Sequence, residues 1–131
     1  ADGVAPDDEP RFAEVLDTLP LDDDGRVPPW PLWWPSEVMA RLIPDQSLRL
    51  DVTRGCPSVP RSLFSEAIPA PLYDGPCGFL GFGDGYSSDA AESRARGWPT
   101  VVLSDAHHLW PIAEPDEVAG LFADMVRRLT S

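Results

Sequence analysis

Side chains able to do chemistry concentrate in the second half of the chain. Its two histidines are adjacent, in Ser104-Asp105-Ala106-His107-His108, and another acid stands in Gly81-Phe-Gly83-Asp84-Gly85-Tyr86. A carboxylate that orients an imidazole and stabilises its protonated form is what a nucleophile–base–acid triad requires. The same residue types also serve as turn formers and loop residues with no catalytic task, so position must decide between the two uses. Other chemistries are closed off. All ten basic residues are arginine, which removes lysine Schiff bases and the lysine phosphate clamp. Cys56 and Cys77 lack the CxxC spacing of a metal site and read as reduced thiols rather than a disulfide. The glycines at 81, 83 and 85 are too imperfect for a dinucleotide fingerprint. No metal or cofactor is expected.

The chain of 131 residues is long enough for one domain, and its composition, 43% hydrophobic and 24% charged, excludes wholesale disorder. A formal charge of −12 sets long-range repulsion against any polyanion, so nucleic acid is not an expected partner. No apolar run approaches the roughly 20 residues of a membrane span, and no basic-then-apolar leader opens the chain. The expectation is a soluble, cytoplasmic protein without a membrane partner.

Three segments follow from patterning. Residues 1–26 form an acidic N-terminal segment in which Phe12, Val15, Leu16 and Leu19 predict a short amphipathic helix over 11–19. Residues 27–76 are rich in proline and tryptophan. The run Val27-Pro-Pro-Trp-Pro-Leu-Trp-Trp-Pro35 reads as extended, because proline lacks a donor and fixes φ. Ser36 is the expected N-cap of a helix ended by Pro44, and Asp45 caps a second helix through Leu50. A third starts at Pro60 and runs to about Ala67. Such a segment of short helices and bends looks like a cap over something.

Residues 77–131 read as β-α-β-α. The apolar runs 77–82 and 99–103 are the strands, and Ser87 caps a helix to Arg96 with Gly97 at its stop. Pro115 opens a last helix whose inner face is Val118, Leu121, Phe122, Met125, Val126 and Leu129. Strand, helix, strand implies a parallel pair joined by a right-handed crossover. Unbroken apolar runs are the mark of parallel strands covered on both faces. Two such strands do not make a stable sheet alone. The fold class is therefore α/β, with the sheet completed by another polypeptide or segment. Sites in open parallel sheets form beyond the carboxyl ends of the strands, and there an acid and a histidine emerge from adjacent strand ends.

From about Val27 onward the chain resembles the C-terminal half of an α/β-hydrolase-fold protein of an actinobacterial kind. The features that carry this are Pro29-Trp-Pro-Leu-Trp-Trp34, Ile43-Pro-Asp45, Cys77-Gly-Phe-Leu80, Gly97-Trp-Pro-Thr100, Ala106-His-His-Leu109 and Pro115-Asp-Glu-Val-Ala119, in this order. The resemblance implies that Asp84 is the triad acid and His107 the general base, with His108 a neighbour and Asp105 a substitute acid. It further implies a lid in which Trp30, Trp33, Trp34 and Leu42 line an apolar cleft. The implied activity is ester, thioester or amide cleavage, or acyl transfer, on an apolar small-molecule or acyl-carrier-bound substrate, as in natural-product biosynthesis. Two departures stand out. Ala106 replaces the glycine usual before the histidine, and no G-x-S-x-G nucleophile elbow occurs. A second polypeptide or segment carrying the nucleophile is the partner this implies.

Two rivals remain. Asp84 and Asp89, followed by Gly97-Trp-Pro-Thr-Val-Val, also look like the late acidic motif of haloacid-dehalogenase-type phosphatases, where paired carboxylates hold Mg²⁺. That motif lacks its early Asp-x-Asp strand and its lysine here. A non-catalytic, binding or substrate-shaping module is the other alternative, because fold does not dictate function.

Overall fold

Prolines and acidic caps delimit the elements of the first unit. The computed structural model describes residues 5–69 and 73–131; residues 1–4 of the acidic segment and 70–72 of the Pro/Trp-rich segment lie outside them. Contacts divide the chain into two units, Ala1–Tyr73 and Asp74–Ser131. Helix α1 spans Pro10–Thr18, with proline in its first turn and the Glu9 carboxylate accepting from Phe12 N–H at 2.7 Å. Its apolar stripe buries Leu16. The Asp22 carboxylate then accepts from the N–H groups of Asp24 and Arg26, and Gly25 supplies the left-handed φ of 71° that turns the chain.

That turn delivers β1, Arg26–Val27, into an antiparallel pair with β2, Val59–Pro60. The ladder is two residues long because Pro28 follows one strand and Pro60 ends the other. No periodicity marks so short a pair, and the sequence reading contains neither strand. The tryptophan run, expected to be extended, instead winds one 3₁₀ turn over Trp30–Trp33. Proline is tolerated at a helix start, where its missing donor is not needed. Helix α2 covers Ser36–Leu42, but Ser36 lies inside its first turn and Pro35 occupies the cap position. Asp45 does cap α3, accepting from Leu48 N–H at 2.8 Å, and the helix runs on to Gly55 rather than stopping at Leu50. Beyond Pro60 only a 3₁₀ turn, Arg61–Ser65, forms. Leu16, Val27, Met39 and Ile43 make the buried core, beside an aromatic cluster of Phe12, Trp33 and Phe64.

The second unit is built on β3, Phe79–Phe82, and β4, Thr100–Leu103, paired in parallel with Phe79 opposite Thr100 and Phe82 opposite Leu103. Between them runs α4, Ser87–Ala95, ended by Gly97 at φ 73°. The cap at Ser87 is not realised: Ser87 is the first helical residue and Tyr86 precedes it. The buried hydroxyl of Ser93 bonds that of Thr100 at 2.7 Å and fastens α4 to β4. A single turn, α5 (Trp110–Ala113), leads into α6, Pro115–Thr130. Gly78 lets α6 approach the start of β3, since a β-carbon there would collide with Met125.

Coverage of this sheet differs from the sequence expectation. Both strands are half-buried except at Gly81, and on α6 only Met125 is buried, while Phe122 is 62% and Val126 46% exposed. Two strands are too narrow to cover the apolar face of a 16-residue helix. The protein is thus a mixed α/β chain with one small parallel sheet and one antiparallel ladder among the described residues.

The acidic segment is tied to the rest of its unit through Arg61. That guanidinium pairs with Asp7 at 3.3 Å and Asp17 at 3.4 Å, and Ser65 Oγ donates to Asp7 at 2.6 Å. The Ser65 hydrogen bond, then Arg61, hold the Asp7 carboxyl below its usual value against the opposing effect of burial. A depressed carboxyl contributes stability that is present above its unfolded pKa and is lost as pH falls through the folded value. The first unit should therefore weaken on the acid side, below about pH 4. Ser65→Ala should raise the Asp7 pKa and flatten that acid-side loss. Carboxyl-carbon NMR titration of Asp7, with urea midpoints at several pH values, reads both effects; coincident curves for the two proteins would refute the link.

Candidate functional site

A parallel register sends the chain out of both strands at one rim. The ladder continues one step past β3, where Gly83 N–H donates to Leu103 C=O at 2.8 Å. Gly83 has φ 87° and ψ 178°, a conformation restricted to glycine, and a β-carbon on it would lie 2.8 Å from Ala106 O. Asp84 and His107 follow these touching backbones by one residue each. The structure therefore brings the two strand-end loops together, as their spacing on adjacent strands predicts.

The side chains are arranged differently from a working triad. Asp84 is exposed at the start of a 3₁₀ turn, Asp84–Tyr86, and opens on a polar groove of about 340 Å³ with Ser87, Arg94 and Ser104. His107 is half-buried and lines neither that groove nor the apolar groove along β3. Its ring packs edge-on against Trp110, centroids 5.2 Å apart, and its Nδ1 accepts from Leu109 N–H at 3.2 Å. An accepting Nδ1 places the proton of neutral His107 on Nε2. A triad needs the opposite tautomer, with Nδ1–H given to the acid. No hydrogen bond joins Asp84 to His107 among the described residues. Asp105 is exposed, and Asp89, on the first turn of α4, does not line the Asp84 groove. No group of three or more His, Cys, Asp or Glu that could hold a metal occurs among the described residues.

A different pair is formed. Tyr86 OH and His108 Nδ1 lie 3.2 Å apart, with ring centroids at 6.0 Å. Both line a groove of about 500 Å³ whose walls are Phe79, Leu80, Phe82 and Pro111. The hydrolase resemblance makes His108 only a neighbour of the histidine base and gives Tyr86 no role. The available signal was that Tyr86 and His108 both follow the strand ends closely.

The expected cleft residues belong to the first unit. Trp33 is used in packing: it contacts Phe12 and Phe64, and its Nε1 donates to Pro28 C=O at 2.7 Å. Trp30 packs edge-on against Trp34. Trp34 lines a groove of about 270 Å³ with Pro31, Met39 and Leu50, and its buried Nε1 has no hydrogen-bond partner among the described residues. Leu42 is half-buried at the end of α2 and lines none of these grooves.

Neither a protein-family model, nor a curated protein, nor a solved structure matches this chain.

The rim contact should be sensitive to one methyl group. Gly83→Ala is expected to cost about 1–3 kcal/mol through backbone strain alone, and more from the collision with Ala106 O. Gly85, with open space at its β-carbon and no left-handed φ, provides the control: Gly85→Ala should change stability by less than about 1 kcal/mol. Denaturant unfolding of the two variants makes the comparison, and equal effects would show that the Gly83–Ala106 approach is not a constraint.

Proposed function

We propose that this chain supplies the acid and histidine of an α/β-hydrolase-like site for cleaving or transferring an ester, thioester or amide acyl group of an apolar substrate. The nucleophile and the remaining strands come from another polypeptide or segment. One observation carries this reading: two parallel strands, their faces only half-covered, send an acid-bearing and a histidine-bearing loop from touching backbones on one rim.

In this mechanism His107 takes the proton of the nucleophile as it attacks the acyl carbon, then returns it to the leaving group. Asp84 holds the ring and stabilises the imidazolium. His107 must first release Leu109 N–H and present Nδ1–H to Asp84. Completion of the sheet beside β3 or β4 supplies the occasion for that turn, because it repacks the half-buried rim. The phosphatase alternative gains nothing from Asp89, which stands outside the Asp84 groove.

Intact mass spectrometry of the protein purified from its source should find a second polypeptide, of about 11–15 kDa by ordinary domain size, containing a G-x-S-x-G sequence, or a longer form of this chain containing one. In that assembly His107→Ala should lower acyl turnover by at least about a hundredfold with folding intact. Unchanged turnover in the folded variant removes the role of His107, and leaves the non-catalytic module as the better account.

A further inference from the structure

The groove beside Trp34 in the first unit holds a cation without a carboxylate partner. Its apolar walls are Pro31, Met39 and Leu50, its volume is about 270 Å³, and Arg49 and Trp34 stand in the same lining. Of the ten arginines, Arg49 and Arg61 alone are half-buried. Arg61 pairs with Asp7 and Asp17, whereas Arg49 forms no ion pair among the described residues of a chain with 22 acids. Its Nη1 donates to the carbonyls of Ile43 and Pro44 at 2.6 and 2.8 Å. Those bonds fix the guanidinium and leave its other edge, Nε–H and Nη2–H, without an acceptor among the described residues. Two parallel N–H groups in one plane are the fork that a carboxylate fills side-on. Trp34 Nε1 is closed to water and equally lacks an acceptor, a state that native structures rarely keep without a use.

We propose that this groove binds a small monocarboxylate with an apolar body. The Nε–Nη2 edge of Arg49 holds the carboxylate side-on, and the Trp34 indole turns to give its N–H to one of the oxygens. Pro31, Met39 and Leu50 enclose the apolar body. The donors select the head group. Neither Arg49 nor Trp34 can accept a hydrogen bond, so an ammonium finds no partner in them, and a neutral amide leaves the guanidinium charge unanswered. A phosphate monoester would set a second negative charge, uncompensated, against apolar walls. The groove lies at the lower limit of small-molecule sites, which restricts the body to a single ring or a short chain. Because two backbone carbonyls already hold the guanidinium, little ordering is left to oppose binding. The ligand is charged, unlike the acyl substrate of the hydrolase reading, and it meets neither Asp84 nor His107.

Phenylacetate is the probe, titrated into the full chain and followed by nitrogen NMR of the indole and guanidinium Nε–H groups. Saturable shifts are expected at Trp34 Nε1 and Arg49 Nε, with the Met39 and Leu50 amides moving alongside. Phenylacetamide, of the same shape without the charge, and phenethylamine should bind about tenfold more weakly or worse. Trp34→Phe keeps an aromatic ring and removes the donor, and Arg49→Lys keeps the charge and removes the fork. Each should weaken phenylacetate about tenfold or more, as loss of a hydrogen bond to a charged group does. Dispersed spectra with unmoved Leu16 and Val27 signals verify folding. If Arg49→Lys unfolds, Trp34→Phe and the amide comparison decide alone. An Arg49 that serves only the Ile43 and Pro44 carbonyls gives no saturable binding, and that result would overturn the proposal. So would phenylacetamide binding as tightly as the acid, phenyl phosphate binding more tightly than it, or undiminished affinity in folded Trp34→Phe. The titration involves neither turnover nor a second polypeptide, so its failure leaves the acyl-transfer reading to its own test.

Discussion

The parallel pairing of β3 with β4 is the constraint that sets where the candidate residues of this chain stand. Its register, from Phe79 opposite Thr100 to Phe82 opposite Leu103, makes Gly83 and Ser104 the next residues on each side. Loops carrying Asp84 and Tyr86 on one strand and His107 and His108 on the other therefore leave from a common rim. The loops meet through backbone, at Gly83 and Ala106, and that approach is open only to a residue without a β-carbon. The same ladder is insufficient as a core. With Phe122 and Val126 exposed on α6, the unit forgoes burial of the order of 1.5–3 kcal/mol for each large apolar side chain left in water. Half-covered strands and an uncovered helix face are the physical basis of the proposal that further strands come from another polypeptide or segment.

The first unit obeys a different logic. Its prolines keep every helix short, so no single element buries much, and polar contacts add to the small apolar core in joining its segments. Arg61 gathers Asp7 and Asp17, while Arg49 donates to the carbonyls of Ile43 and Pro44 across the bend between α2 and α3. Several acids have local duties as well: Glu9 and Asp45 cap helices, and Asp22 closes a turn. The strongly negative composition is thus partly structural, beyond its effect on solubility.

Adjacent histidines in one turn face different surroundings. His107 spends its Nδ1 on the backbone of Leu109 and its ring on Trp110, whereas His108 stands over Tyr86 in an open apolar groove. A general base must be free to exchange a proton, and in this arrangement Nδ1 of His107 is already engaged by the Leu109 N–H.

Much of the element list was legible from local signals. Apolar spacing marked α1, Pro115 and an apolar face marked α6, Asp45 announced its own cap, and the unbroken apolar runs marked β3 and β4 as parallel strands. These are features whose energetics lie within a few residues, so composition and spacing suffice to read them. The Pro29–Trp34 run was misread because the proline rule against helix interiors does not apply to a first turn, where one 3₁₀ turn forms. Tertiary structure alone decided the pairing of Arg26–Val27 with Val59–Pro60, the convergence of Asp7 and Asp17 on Arg61, and the partner of each histidine nitrogen. Those outcomes depend on which groups distant in the chain become neighbours, and on which rotamer that packing leaves open. No local pattern of residues encodes either.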